Sequence, residues 1–200
     1  CFLQPFQPNR SMRICGGLAR GIPLQVAKGI EIRPATDANR ERLFSSLGAS
    51  VMETHFLDLF AGTGSYGLEA LSRGATGGVF VEQHRKAVSS LQKNISNVCK
   101  SAKVQQSVVM IERRDVIEYL KSEQSNFDLI FLDPPYSLFP KVGSQIFELI
   151  KRNQIIKKAG FLIHEAPPEE ESDFEGWNLV KTIGKSKKGS PLFRLFQVEN

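Results

Sequence analysis

Residues 56–71, Phe-Leu-Asp-Leu-Phe-Ala-Gly-Thr-Gly-Ser-Tyr-Gly-Leu-Glu-Ala-Leu, constrain the fold more than any other part of the chain. The apolar run 56–60 is too short for a buried helix and has the length of a buried strand. Gly62, Gly64 and Gly67 break it, and helix-forming residues follow over about 66–73. Strand, glycine turn, helix is the opening of a parallel α/β sheet, at the place where such sheets hold a nucleotide-like ligand. Glycine there lets the backbone approach a ligand with no Cβ in between.

The rest of the chain continues the alternation. Strands are expected at 78–81, 108–112, 128–132 and 161–165, with helices at about 86–98, 116–120 and 142–151. Thr36 or Asp37 caps an earlier helix through Arg40, Leu43, Phe44 and Leu47, and Gly48 stops it. Residues 179–183 and 192–198 read as a closing antiparallel pair around the basic turn 185–190. Alternation of this kind predicts a mostly parallel seven-stranded, Rossmann-like sheet covered on both faces. Residues 1–11 read as a disordered extension. Residues 12–32, with Gly16, Gly17, Gly21 and Pro23, read as a small β-hairpin, and 33–200 as the main domain.

Composition sets outer bounds. The 200 residues are 41% hydrophobic and 24% charged, enough for one core of ordinary size. A net charge of +5 and a pI near 9.2 suit an anionic partner. Cys1, Cys15 and Cys99 are too few and too scattered for a disulfide framework or a zinc site, which favours a reducing, cytoplasmic setting. His55, His84 and His164 share no metal or triad spacing, Trp177 reads as a packing residue, and residues 169–171 read as a solvated acidic surface. No metal and no membrane association are expected.

Two groups of residues carry the chemistry. Gly62 and Gly64 precede Glu82, which stands where a dinucleotide fold places its ribose-binding acid. The glycines alone do not separate a nicotinamide enzyme from one that uses S-adenosylmethionine. Asp58, on the strand below the loop, repels pyrophosphate and suits the amino group or the sulfonium of S-adenosylmethionine. Asp115, after the third strand, can accept adenine amino hydrogens while the Val116 amide serves a ring nitrogen, and it can equally cap the helix it begins.

The second group is Asp133-Pro134-Pro135-Tyr136, closing the fourth strand. Two prolines end the ladder and stiffen the backbone, so Asp133 and the Pro134 carbonyl hold fixed directions. The amino group of a base is a poor nucleophile because its lone pair is delocalised into the ring. Two acceptors on its N–H groups favour a pyramidal nitrogen and aim the lone pair, and Tyr136 offers a face for the base to stack on. Arg13, Arg20 and Lys28, with Lys185, Lys187 and Lys188, are candidates for phosphate contacts.

Arg13-Ile14-Cys15-Gly16-Gly17, Arg33-Pro34-Ala35-Thr36-Asp37 with Arg40-Glu41, Asp58-Leu59-Phe60-Ala61-Gly62-Thr63-Gly64, the run 67–75 and Asp133-Pro134-Pro135-Tyr136 occur in that order. In this the chain resembles the RsmD family of bacterial 16S ribosomal RNA guanine-N2 methyltransferases, from Met12 to the C-terminus. The resemblance implies a class I S-adenosylmethionine-dependent methyltransferase fold. The implied substrate is a guanine of 16S ribosomal RNA, free or in an assembled 30S particle. It assigns Asp58, Gly62, Gly64, Glu82 and Asp115 to the cofactor and Asp133, Pro134 and Tyr136 to the target amino group. Asp-Pro-Pro-Tyr is shared with adenine- and cytosine-N methyltransferases, so the motif alone leaves an adenine-N6 enzyme open. A non-catalytic assembly factor that keeps the cofactor pocket is the other alternative.

Overall fold

The computed structural model describes residues 12–27, 37–170, 172–184 and 191–199. Among these, seven strands form one sheet in the order β3-β2-β1-β4-β5-β7-β6. Strands β1 (His55–Leu59), β2 (Gly77–Val81), β3 (Val109–Glu112), β4 (Phe127–Leu132) and β5 (Ile156–Ala166) run parallel. Strand β7 (Leu192–Val198) lies antiparallel between β5 and β6 (Trp177–Ile183). The helices are α1 (Asp37–Leu47), α2 (Ser65–Ser72), α3 (Arg85–Ala102), α4 (Val116–Ser122) and α5 (Phe139–Arg152). From β1 the chain moves outward through β2 to β3, then returns to β4 on the other side of β1. The carboxyl ends of β1 and β4 therefore flank the topological switch point, where sheets of this kind bind ligands.

Each face of the sheet carries its own core. Phe56, Phe80, Leu129, Phe131, Ile163 and Phe193 pack on one side with residues of α1, α2 and α3. Leu57, Leu59, Ile130, Leu132, Leu162 and Phe196 pack on the other with α4 and α5. Double coverage explains why 129–132 and 161–163 are continuous apolar runs, and why β1 is buried from Phe56 to Leu59. By the same alternation Asp58 shares the first face with Phe56, and Asp133 and Glu165 continue the rows of Phe131 and Ile163.

Residues 12–27 fold back as an antiparallel loop with a single bridge, Arg13 to Pro23, supported by Ile14 N–H to the Ile22 carbonyl at 2.9 Å and Leu24 N–H to the Met12 carbonyl at 2.8 Å. Pro23 and the turn at 17–21 keep it from becoming a longer ladder. Met12, Ile14, Ala19 and Leu24 are buried in the first core. The tip is tied to the end of α2, with Leu18 N–H on the Ser72 carbonyl at 2.8 Å and Ala19 N–H on Ser72 Oγ at 2.9 Å.

The structure departs from the sequence reading at several points. Strand β5 begins at Ile156, five residues before the expected start, because Phe127 pairs with Ile156 and the register then shifts to pair Leu129 with Phe161. Helix α5 begins at Phe139, with Pro140 in its first turn, where a missing N–H costs nothing. Glu170, expected at a solvated surface, lies 2.7 Å from His164 Nε2 and 4.0 Å from Arg194 Nη1. Trp177 packs as expected and donates from Nε1 to the Phe147 carbonyl at 3.3 Å. Lys28, the 33–36 part of the family-like motif and the basic turn with Lys185, Lys187 and Lys188 lie outside the described residues.

Candidate active site at the carboxyl edge of the sheet

The glycine loop is held from below by two buried carboxylates. Asp58 accepts the Gly67 N–H at 3.0 Å, across the first turn of α2. Glu82 accepts the Gly62 N–H at 2.9 Å through Oε2 and the His84 N–H at 2.7 Å through Oε1. Phe60, at the start of the turn, adopts a left-handed φ of 61°, which costs a non-glycine residue about 1–2 kcal/mol. Strain of that kind persists where surrounding structure over-determines the backbone, commonly at ligand sites. The glycines divide their work. Gly62 is part-exposed on the loop. Gly64 and Gly67 allow close packing: a Cβ on Gly64 would lie 2.4 Å from Leu91 Cδ1, and one on Gly67 would lie 2.5 Å from the rings of Phe56 and Phe80.

Asp58 is fully enclosed. Burial, partly countered by the Gly67 N–H and reinforced by the charge of Glu82, pushes its carboxyl up to about 8. A cationic group arriving at the loop relieves that penalty, whereas a pyrophosphate adds to it. The residues present thus fit a ligand that carries positive charge. Asp115 is exposed and caps α4, accepting the Ile117 N–H at 2.9 Å and the Glu118 N–H at 3.2 Å through Oδ1, with Val116 buried behind it.

Across the switch point, Asp133 and Tyr136 are half-buried, Pro134 is buried and Pro135 is exposed. The Pro135 carbonyl accepts the Leu138 N–H at 2.8 Å, joining the motif to the start of α5. The end of β4 is pinned by His164, whose Nδ1 meets the Leu132 carbonyl at 3.0 Å and whose ring stacks on Phe139 at 4.1 Å.

Three residues of this region were not singled out from the sequence. Glu165, next to last in β5, accepts a hydrogen bond from the Tyr66 hydroxyl. Its signal was available, since it closes a strand in a carboxylate as Glu82 and Asp133 do. Tyr66, read only as a helix residue, stacks on Phe131 at 5.7 Å. Asn94 of α3, fully buried, takes the Gln25 N–H at 2.7 Å and donates to the Gln25 and Thr63 carbonyls at 3.0 Å each. Nothing local in the sequence marks it.

The proposed phosphate contacts are spread out. Arg13 is exposed and meets Asp37 at 3.5 Å. Arg20 lies in the loop tied to the C-terminal end of α2, roughly 12 Å along that eight-residue helix from the glycine loop. Among the described residues no cluster of three or more His, Cys, Asp and Glu could hold a metal ion, and no helix is long and apolar enough to cross a membrane.

Residues 12–197 match the family profile described as "Conserved hypothetical protein 95". The ribosomal RNA small subunit methyltransferase D of Haemophilus influenzae is 32% identical over 189 residues, covering 93% of each chain. The protein of that name from Escherichia coli K12 is 32% identical over 205 residues, covering 96% of this chain and 95% of its own. The chain belongs to the RsmD family. A solved structure described as a putative methyltransferase yhhF from Escherichia coli superposes with a TM-score of 0.78 at 29% identity, over 94% of this chain and 98% of its own. A putative methyltransferase SMU.776, solved with S-adenosylhomocysteine, shares the fold at a TM-score of 0.61 and 14% identity, over 84% of this chain and 50% of its own. The RsmD-family chain is therefore an α/β methyltransferase of the Rossmann-like class, with the glycine loop and Asp133-Pro134-Pro135-Tyr136 on adjacent strands.

Proposed function

We propose that this protein transfers a methyl group from S-adenosylmethionine to the exocyclic N2 amino group of a guanine in small-subunit ribosomal RNA, as free RNA or within the assembled 30S particle. That substrate puts the enzyme in the cytoplasm. The observation that carries the reading is the pairing of β1 with β4. It sets the loop above Asp58 directly beside Asp133 and Pro134, with Leu59 opposite Leu132.

When bound, S-adenosylmethionine supplies a methyl group on a positively charged sulfur. Glu82 and Asp58 hold the loop that receives it, and both carry acceptors for its hydroxyl and amino groups. Asp133 and the Pro134 carbonyl accept the two hydrogens of the target amino group and turn its lone pair toward the methyl. As nitrogen gains positive charge, the Asp133 carboxylate stabilises it, a preorganised electrostatic contact of the kind worth about a hundredfold or more in rate. Tyr136 stacks on the base. The methylated ammonium is acidic enough to lose its proton to solvent after transfer, so no base need deprotonate the amino group before attack.

The test is single-turnover methylation of small-subunit ribosomal RNA with saturating methyl donor. Asp133→Ala is expected to keep cofactor affinity and to lose about a hundredfold or more in rate. An Asp133→Ala protein as fast as the parent refutes the mechanism. A protein that binds the donor and never turns over favours the assembly-factor alternative.

A further inference from the structure

We propose that Glu165 selects guanine: its carboxylate accepts the N1–H of the target base, while Asp133 and the Pro134 carbonyl accept the hydrogens of the N2 amino group. This rests on the guanine-N2 reading above and names the residue that makes the site specific.

The sheet register supplies the placement. Phe131 pairs with Ile163 and Leu132 with His164 in parallel strands. Continued one residue past the end of β4, that register brings Asp133 opposite Glu165 on one face of the sheet, with strand backbones about 4.8 Å apart. Two carboxylates on neighbouring strands suit two neighbouring donors on one edge of a base. Guanine presents such donors at N1 and N2. Adenine presents a lone pair at N1, which a carboxylate repels, so Glu165 supplies a distinction that Asp-Pro-Pro-Tyr cannot make.

Glu165 is held for the purpose. The residue is only 6% exposed, and the Tyr66 hydroxyl donates to its Oε2. Tyr66 is locked between Phe131, stacked at 5.7 Å, and Phe193, edge-on at 6.0 Å. The charge of Asp133 acts on the same tyrosine. An ionised carboxylate has about four acceptor directions, and Tyr66 fills one. Burial pushes Glu165 up, the Tyr66 hydroxyl and the charges of His164 and Arg40 pull it back, and a further N–H donor favours the ionised form. Tyr66, Phe131, Leu132, Ile163, Glu165 and Phe193 line a narrow cleft beside it that has no room for a water molecule.

The experiment compares two RNAs that differ only at the target: one with guanine, one with 2-aminopurine, which keeps the N2 amino group and lacks the N1–H. Single-turnover methylation and equilibrium binding without methyl donor are measured for the parent, Glu165→Gln and Tyr66→Phe. The parent is expected to favour guanine by roughly a hundredfold or more, because a buried acceptor left unpaired rejects the analogue. Glu165→Gln, whose amide can also donate to a bare N1, is expected to cut that preference at least tenfold in both rate and binding. Tyr66→Phe, which frees the carboxylate to turn, is expected to cut it less. Unchanged calorimetric affinity for the cofactor certifies each variant as folded. An unchanged guanine preference in a folded Glu165→Gln overturns the proposal; if that variant does not fold, an unchanged preference in Tyr66→Phe does so. A parent that methylates neither RNA overturns the guanine-N2 reading itself.

Discussion

On the proposed site, Asp58 makes cofactor binding a proton-releasing event. Its ordinary value is 3.8, and burial raises it to about 8 in the ligand-free protein. At pH 7 a carboxyl titrating near 8 is about nine-tenths protonated. A cation seated over the loop favours the carboxylate, so binding at pH 7 expels about 0.9 proton from Asp58 if the bound form titrates well below neutrality. Affinity should then rise about tenfold per pH unit up to about 8 and level off. The sign for stability is opposite. A carboxyl whose native value is raised favours the folded state most below its unfolded value, and that advantage is lost as pH climbs through the native one. Between pH 4 and 8 the ligand-free protein should lose up to roughly 5 kcal/mol of stability. The assay is titration calorimetry at pH 7 in buffers of different ionisation enthalpy, with Asp58→Asn alongside the parent. The α-amino group of the ligand titrates near 8 as well, so the difference between the two proteins isolates the contribution of Asp58. A folded Asp58→Asn with the parent's proton count and pH profile refutes the reasoning.

Three further outcomes follow from the same geometry. Glu82→Ala removes the acceptor of both the Gly62 and His84 amides and should weaken cofactor binding by about 1–3 kcal/mol, with unchanged calorimetric affinity in a folded variant as the contrary result. Gly67→Ala sets a Cβ 2.5 Å from the Phe56 and Phe80 rings and should cost about 1–3 kcal/mol in chemical denaturation; an unshifted midpoint would show that α2 can move off the sheet. Replacing Arg13 and Arg20 together should weaken RNA binding and flatten its salt dependence without touching cofactor affinity, and an unaltered salt slope would place the RNA on another surface.

What the sequence made legible is what local pattern determines. Residues 192–198 show their full strand because 192–196 are buried on both faces of an inner strand. The glycine loop is legible because its chain reversal must follow an apolar strand. The first half of β5 is not, since Lys157 and Lys158 are exposed and Ile156 pairs with Phe127, at the start of β4, out of register with the rest of the strand. Glu170 looked like surface in a run of acids, and only the fold brings it against His164 and Arg194. Asn94 is invisible for the same reason: its partners lie 69 and 31 positions away. The roles of Gly64 and Gly67 needed the structure too, because a glycine in a ligand loop and a glycine under a phenylalanine ring look alike in sequence.

The most direct measurement is the identity of the modified nucleoside. Small-subunit ribosomal RNA and assembled small subunits from cells lacking the gene are incubated with the purified protein and methyl-labelled S-adenosylmethionine, digested, and mapped by mass spectrometry. N2-methylguanosine at a single position, absent when Asp133→Ala replaces the parent, is the predicted result. Label in N6-methyladenosine, or label in DNA and none in ribosomal RNA, contradicts it.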